Sequence, residues 1–142
     1  MTGTQSVKLS TSIASSTVAV AQVVTWDPGC TYVVSGYFRI SEEMVAAQST
    51  SNVLVNIAQY GTEVTSSDLK VKGKNSVLYG TGTASSPCVV EQSTVKAGEW
   101  IPFSFEVTAH EESHIAYIFF RQNLPGGTVW FDDLCLIKKV VE

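Results

Sequence analysis

The ten residues from Thr31 to Ile40 carry the most constraining pattern in the chain, a strict alternation between core-type and amphipathic side chains. Successive side chains of a strand point to opposite sides of a sheet, so this alternation predicts a β-strand with one buried face. The predicted core face comprises Tyr32, Val34, Gly36, Phe38 and Ile40, and the opposite face comprises Val33, Ser35, Tyr37 and Arg39.

Comparable runs of β-branched and aromatic residues recur between turn signals such as Asp27-Pro28-Gly29, and the only helix-like stretch is Ser41 to Ala47. Short strands separated by turns are typical of an all-β sandwich or barrel, and we expect about eight to ten antiparallel strands. The expected strands cover residues 6–11, 17–25, 31–40, 52–60, 88–95, 100–108, 114–122 and 128–137, with short ones near 69–71 and 77–79.

The length and charge of the chain limit the kinds of partner it can have. A chain of 142 residues forms one domain, residues 1–142, with a core of its own. The net charge is -4 and the lysines are scattered or in short groups, which excludes the basic stripe of a nucleic-acid-binding protein. No apolar run reaches the roughly 18–20 residues of a membrane span. Met1-Thr2-Gly3 begins no signal peptide, although the mature part of a secreted protein has the same appearance.

The three cysteines, Cys30, Cys88 and Cys135, are odd in number and lack the C-x-x-C spacing of a metal site. Three small half-buried thiols account for them, and so does one disulfide with a free thiol. The cysteines therefore do not indicate whether the protein works in an oxidising or a reducing compartment.

The last strand-like stretch combines features that a plain sheet strand does not need. Val129 and Phe131 point to one side and Trp130 to the other. The pair Asp132-Asp133 follows, and carboxylates are costly to bury without hydrogen bonds or a cation. Apolar residues then resume, so this stretch presents an outward tryptophan beside two acids.

Four segments occur in an order that resembles the carbohydrate-binding modules of families 4, 9, 16 and 22, which share a galactose-binding-like jelly roll. They are Ser6–Leu9, Pro28–Arg39, Gly98–Trp100 and Gly127–Leu134, and the resemblance covers roughly residues 3 to 138. It implies an antiparallel β-sandwich of jelly-roll type with a glycan-binding groove on its concave sheet.

The same resemblance implies a structural Ca²⁺ held by Asp132 and Asp133. Family members usually open with an additional strand that carries a further acidic ligand. This chain begins at the segment that follows that strand, so the expected site has fewer acids.

A glycan groove needs flat rings that stack on sugars and planar polar groups that bind hydroxyls. On strand parity, we expect Tyr37, Tyr117 and Trp130 to stack and Arg39, Arg121, Asn56 and Gln122 to hydrogen-bond. As an alternative, these are ordinary solvent-side residues, and the arginines pair with Glu63, Glu91 or Glu106. Trp26 closes an end of the sandwich or flanks the groove, and Trp100 is expected to plug the core.

The run His110-Glu111-Glu112-Ser113-His114 matches the zinc-protease pattern H-E-x-x-H literally. That pattern needs a helix to bring both histidines to one face, and here it lies between two predicted strands. No second acid faces Glu106 in the way a glycosidase pair requires. We therefore expect no catalysis.

These observations predict a non-catalytic, monomeric carbohydrate-binding module that binds a plant-type β-glycan (glucan, xylan or mannan). It would target an attached catalytic domain to polysaccharide outside the cell, without nucleic-acid or membrane partners. The alternative from another class is an accessory or interaction domain of the same fold that binds no sugar. A third hypothesis is that the chain is a small enzyme with a jelly-roll fold, either a lyase or a hydrolase.

Overall fold

Eight strands form two antiparallel sheets in the computed structural model, which describes residues 7–11, 17–46, 50–63, 74–123 and 127–140. The strands are β1 (Val7–Thr11), β2 (Thr17–Thr25), β3 (Thr31–Ile40), β4 (Val53–Tyr60), β5 (Lys74–Tyr79), β6 (Ile101–Thr108), β7 (Ile115–Asn123) and β8 (Gly127–Lys138). A short helix α1 (Glu42–Ala46) follows β3, and a 3₁₀ turn spans Gln92–Thr94. No helix of these described ranges is long and apolar enough to cross a bilayer.

The strand order is that of a jelly roll. The first sheet has the order β1-β8-β3-β6, and the second has the order β2-β7-β4-β5. The chain pairs β1 with β8, β2 with β7, β3 with β6 and β4 with β5, as in one long hairpin rolled into two layers. The predicted all-β antiparallel sandwich of jelly-roll type is therefore confirmed.

The alternation of β3 is confirmed residue by residue, with even-numbered side chains buried and odd-numbered ones half-buried. The same pattern orients β6 and β7, because one face of each strand must leave water for the inter-sheet core. Phe131 of the first sheet and Phe120 of the second meet in this core with ring centroids 5.3 Å apart. Their contact ties the two layers together.

One end of the sandwich is closed by Trp26, which is only 5% exposed. Its ring stacks on Tyr32 at 5.3 Å, and its Nε1 donates to the Oγ of Ser113 at 2.8 Å. Of the two sequence interpretations of Trp26, the structure supports the closing role.

The other end is organised by Ser41, which precedes α1. Its Oγ accepts hydrogen bonds from the backbone N–H of Met44 (3.4 Å) and of Thr128 (2.9 Å). The first bond caps the helix, as the sequence predicted, and the second ties the helix to β8.

A β-bulge interrupts β8 beside Gly36. Ser35 pairs with Cys135 and Tyr37 pairs with Asp132, so β8 has one residue more than β3 across this step. Asp133 takes a positive φ of 50° there. A Cβ at position 36 would lie 2.7 Å from the Cδ2 of Leu134 and 3.1 Å from the backbone oxygen of Asp132, so this crowded core-facing position favours glycine.

The prediction of a strand over 88–95 is wrong. The segment makes a single bridge, Val77 to Cys88, before the 3₁₀ turn. The side chain of Gln92 bonds the backbone of this region instead: Oε1 accepts from the N–H of Gly80, and Nε2 donates to the carbonyls of Leu78 and Val90. A strand is confirmed at 77–79 within β5, whereas the one predicted near 69–71 lies outside the described residues.

The cysteines are free thiols. Cys30 and Cys88 are half-buried as predicted, whereas Cys135 is exposed. The Sγ of Cys88 donates to the carbonyl of Gly80 at 3.3 Å, and burial raises the pKa of this thiol. Cys88 is therefore protonated near neutral pH and is a poor nucleophile.

Candidate functional site

The side chains predicted to line one groove do not lie together. Strand parity separates inward from outward positions, but a two-layer sandwich has two outward faces. The outer face of the first sheet carries Tyr37, Arg39 and Trp130, whereas the outer face of the second sheet carries Asn56, Tyr117 and Arg121. The expectation of a single groove containing all of them is therefore wrong.

Gln122 lies on neither face. It is fully buried, on the inward parity of β7, where it pairs in register with the buried Val53. Its Nε2 donates to the carbonyl of Gly127 at 3.0 Å. The prediction that Gln122 contacts a ligand is wrong, because a side chain in the inter-sheet core does not reach either outer surface.

The outer face of the second sheet presents three half-buried aromatic side chains in contact. The ring of Tyr117 meets Tyr60 and Phe119 edge-on, with centroids 5.6 Å apart in both pairs. Edge-on contacts are a favoured geometry for aromatic pairs, and because all three rings are half-buried, each keeps part of its surface exposed to solvent. We call this surface the aromatic face, and its members are Tyr60, Tyr117, Phe119, Asn56, Asn75 and Arg121.

The surface shape of the aromatic face follows from the pairing of β7 with its two neighbours, β2 and β4. Tyr117, Phe119 and Arg121 succeed one another on the central strand β7 and form a ridge. Small or medium side chains flank this ridge on the adjacent strands, so the large side chains stand above their neighbours. The flanking pairs are Val23 and Ala58 beside Tyr117, Ala21 and Asn56 beside Phe119, and Ala19 and Leu54 beside Arg121.

Planar polar groups border the rings. Asn56 on β4 and Asn75 on β5 are register partners, and the Nδ2 of Asn56 donates to the Oδ1 of Asn75. The amide–amide bond leaves the Oδ1 of Asn56 and the Nδ2 of Asn75 available for further bonds. Arg121 adds guanidinium donors at the end of the ridge. The face can therefore stack on an apolar ring surface and hydrogen-bond hydroxyl groups at its margin.

Within the described ranges, neither Arg39 nor Arg121 forms an ion pair with a carboxylate. The ion pairs there are Lys138–Asp27 (2.9 Å) and Lys139–Glu106 (3.1 Å). Thus Glu106, one of the acids considered for the arginines, is engaged by a lysine. The hydrogen bond to Asp27 and the charge of that carboxylate raise the pKa of Lys138.

The outer face of the first sheet holds a different arrangement, in which Arg39 lies between two tryptophans. The Cζ of Arg39 is 4.4 Å from the ring centroid of Trp130 and 5.0 Å from that of Trp100. We call these three residues the arginine–indole cluster. Trp100 is half-buried in it, so the prediction that Trp100 plugs the core is wrong.

Tyr37 lies one row away from this cluster on the same face. Its register partners are Pro102 on β6 and Asp132 on β8. It is therefore separated from Tyr117 by the whole thickness of the sandwich, and the two tyrosines do not contribute to one surface.

Among the acidic residues that the structure describes, Asp132 is the most buried, at 8% exposed. Its Oδ1 accepts from the backbone N–H of Asp133 at 2.7 Å, whereas its Oδ2 is buried and has no hydrogen-bond partner among the described residues. An orphaned carboxylate oxygen suits a hard cation such as Ca²⁺, which takes about six to eight oxygen ligands. Within the described ranges, however, no three His, Cys, Asp or Glu residues gather as a metal-binding group. Asp132 fits as one ligand of a site whose other ligands are carbonyl or water oxygens.

The H-E-x-x-H match lies in the turn that joins β6 to β7. The Nδ1 of His110 accepts a hydrogen bond from the backbone N–H of Glu112 at 3.1 Å. Because the segment is not helical, His110 and His114 do not share the face that the zinc motif requires.

Tyr60, Phe119 and Asn75 belong to the aromatic face but were not among the predicted ligand contacts. Phe119 had a usable signal, since it lies two residues from Tyr117 on the same strand. Asn75 had none, because only the pairing of β4 with β5 places it beside Asn56.

No protein-family model and no curated protein sequence matches this chain. Solved structures do match it. A protein described as "Family 16 Carbohydrate Binding Module-2" has a TM-score of 0.58 at 13% identity, and the alignment covers 95% of this chain and 77% of that one. The enzymatically active domain of tailspike protein 4 of bacteriophage CBA120 has a TM-score of 0.60 at 12% identity, covering 94% of this chain but 15% of that one.

A third match is the CBM22–GH10 part of a Clostridium thermocellum endo-1,4-β-D-xylanase complexed with xylohexaose. Its TM-score is 0.46 at 16% identity, and the alignment covers 82% of this chain and 18% of that one. At the identities of the first two matches, structural likeness establishes a common fold. The jelly-roll fold implied by the sequence motifs is thereby confirmed.

Proposed function

We propose that this chain is a non-catalytic carbohydrate-binding module that binds a β-glycan chain on the aromatic face. The observation that carries the proposal is the ridge formed by Tyr117 and Phe119, with small or medium-sized register partners on both sides and amide groups at its margin. The likeness in fold to a family 16 carbohydrate-binding module supports it.

The chemistry of the face suits a neutral sugar chain. Sugar rings have apolar C–H surfaces that pack on aromatic rings, while their hydroxyl groups need planar donors and acceptors at the rim. Asn56, Asn75 and Arg121 supply such groups. Affinity is expected to be modest, because bonds to a sugar replace bonds to water and an open strand face encloses only one side of the ligand.

Native affinity electrophoresis tests this function. We expect the migration of the isolated chain to be retarded in gels that contain at least one of soluble β-glucan, xylan, glucomannan or galactomannan. The polysaccharide that retards it identifies the glycan class. Normal migration through all four gels by a folded protein would contradict the proposal and favour the accessory domain that binds no sugar.

We further propose that a structural Ca²⁺ is held by Asp132 with the adjacent Asp133. Ca²⁺ at a hundredfold excess over its Kd would stabilise the fold by about 2.7 kcal/mol, which corresponds to a Tm increase of roughly 8 °C. We expect EDTA to remove this increment and Asp132→Asn to abolish the response to Ca²⁺. Differential scanning calorimetry measures both effects.

Asp27→Asn provides the matched control, since the side chain of Asp27 is 68% exposed and its carboxylate pairs with Lys138. That variant should retain the full response to Ca²⁺. A wild-type Tm that is the same in EDTA and in excess Ca²⁺ would contradict the calcium site without affecting the glycan proposal.

The proposed module is a monomer that works outside the cell, attached to a catalytic domain that it directs to polysaccharide. The matched part of the tailspike structure is a small share of that longer chain, which supports an attached role. Fusion of the chain to a polysaccharide hydrolase should raise the activity of that enzyme on insoluble substrate more than on soluble substrate.

A further inference from the structure

We propose that the arginine–indole cluster is a second ligand site, specific for sugars that bear a carboxylate, that is, for uronate residues. The cluster lies on the first sheet, on the side of the sandwich opposite the aromatic face. This site goes beyond the neutral glycan chain proposed above, and either site can exist without the other.

The register of the first sheet builds the cluster. Trp130 of β8 is the partner of Arg39 on one side. Trp100 lies on the other side, because it directly precedes Ile101, the partner of Phe38. The Cζ of Arg39 lies over both rings, at 4.4 Å and 5.0 Å from their centroids. Stacking on an aromatic ring uses the flat face of a guanidinium group and leaves the N–H donors in its plane available.

The charge of Arg39 is matched by no carboxylate in the described ranges. The ion pairs there involve Lys138 and Lys139. Asp132, one row away on the same face, has its Oδ1 bonded to the backbone N–H of Asp133. A guanidinium group that is held in place by two rings and has unused donors matches the two oxygens of a carboxylate.

The two tryptophans identify the remainder of the ligand as a sugar ring. Trp100 and Trp130 are both half-buried, so each keeps part of its surface in contact with solvent. An indole on each side of Arg39 fits a uronate residue, whose ring packs on an indole and whose carboxylate binds the guanidinium group.

Tryptophan fluorescence gives a readout confined to this site. Trp26 is buried at 5% exposure at the closed end of the sandwich, and the aromatic face contains tyrosine and phenylalanine but no tryptophan. A ligand on the first sheet should therefore change the emission of Trp100 and Trp130. A neutral glycan on the aromatic face should leave the emission nearly unchanged.

The experiment is a titration with oligogalacturonate of about six residues, followed by Trp emission at low and high NaCl. We expect a saturable change that weakens as NaCl rises, because salt screens an exposed ion pair. Arg39→Gln should weaken binding at least about tenfold, since it removes a charged hydrogen-bond donor. Arg39→Lys should fall between wild type and Arg39→Gln, because it keeps the charge and loses the fork of donors.

Lys139→Gln is the matched control. It also removes one positive charge, but just beyond the C-terminal end of β8, in an exposed pair with Glu106. Binding of oligogalacturonate by this variant should equal that of wild type. Circular dichroism and the Tm of each variant establish that the fold is retained.

Three outcomes would overturn the proposal. They are no emission change at millimolar oligogalacturonate, an equal change in wild type and Arg39→Gln, and a dimer in analytical ultracentrifugation that Trp130→Ala dissociates. The last result would assign this face to a second copy of the chain. Gel retardation by a neutral glycan depends on Tyr117 rather than on Arg39, so failure of one site is distinguishable from failure of the other.

Discussion

Tyr117→Ala is expected to weaken binding of the retained β-glycan by about 30-fold. Tyr117 is the middle ring of the aromatic face, in contact with both Tyr60 and Phe119. Truncation of a central aromatic anchor typically costs about 2 kcal/mol or more, which corresponds to roughly 30-fold in Kd. Isothermal titration with an oligosaccharide of the retained glycan measures the effect.

Tyr37→Ala is the matched control for that variant. Tyr37 is also a half-buried tyrosine on the outward parity of a strand, but it belongs to the opposite sheet. Its removal should leave Kd for the neutral glycan within about twofold of wild type. The reverse result, with a loss for Tyr37→Ala and none for Tyr117→Ala, would move the glycan site to the first sheet.

Phe131→Ala is expected to lower the free energy of unfolding by about 4 kcal/mol. Phe131 is fully buried and contacts Phe120 across the two sheets at a centroid distance of 5.3 Å. Its truncation removes apolar contacts from both layers and leaves a cavity that the paired strands cannot close. Urea denaturation followed by circular dichroism measures the loss.

Phe119→Ala is the comparison for the core variant, since it makes the same chemical change at a half-buried outward position of β7. We expect it to cost about 1 kcal/mol, because it loses cross-strand contacts without opening an internal cavity. Equal losses for the two variants would mean that the inter-sheet contact of Phe131 contributes little to stability.

Much of the fold could be predicted from local pattern. The bounds of β3 and the inward faces of β3, β4, β6 and β7 follow from alternation alone, because burial of one face of a strand imposes a period of two. The outward direction of Trp130 followed from the same rule. The order of the motifs along the chain also predicted a jelly-roll fold, and the observed strand order confirms it.

Alternation did not predict the segment 88–95, because a pattern of apolar residues does not provide a partner strand. There the side chain of Gln92 binds backbone groups of Leu78, Gly80 and Val90. The bulge at Asp133 is another feature without a local signal. It depends on the close approach of Leu134 to Gly36 on the neighbouring strand.

The sequence by itself determined which side chains point away from the core, and for Tyr37, Arg39, Asn56, Tyr117, Arg121 and Trp130 it did so correctly. Only the tertiary structure decided which of these residues lie together. A strand's parity is set by its own residues, whereas its sheet is set by pairing with segments far away in the chain. The jelly roll places β3 and β8 in one layer and β4 and β7 in the other. One predicted groove thus became two separate surfaces, one aromatic with amide groups and one built around Arg39.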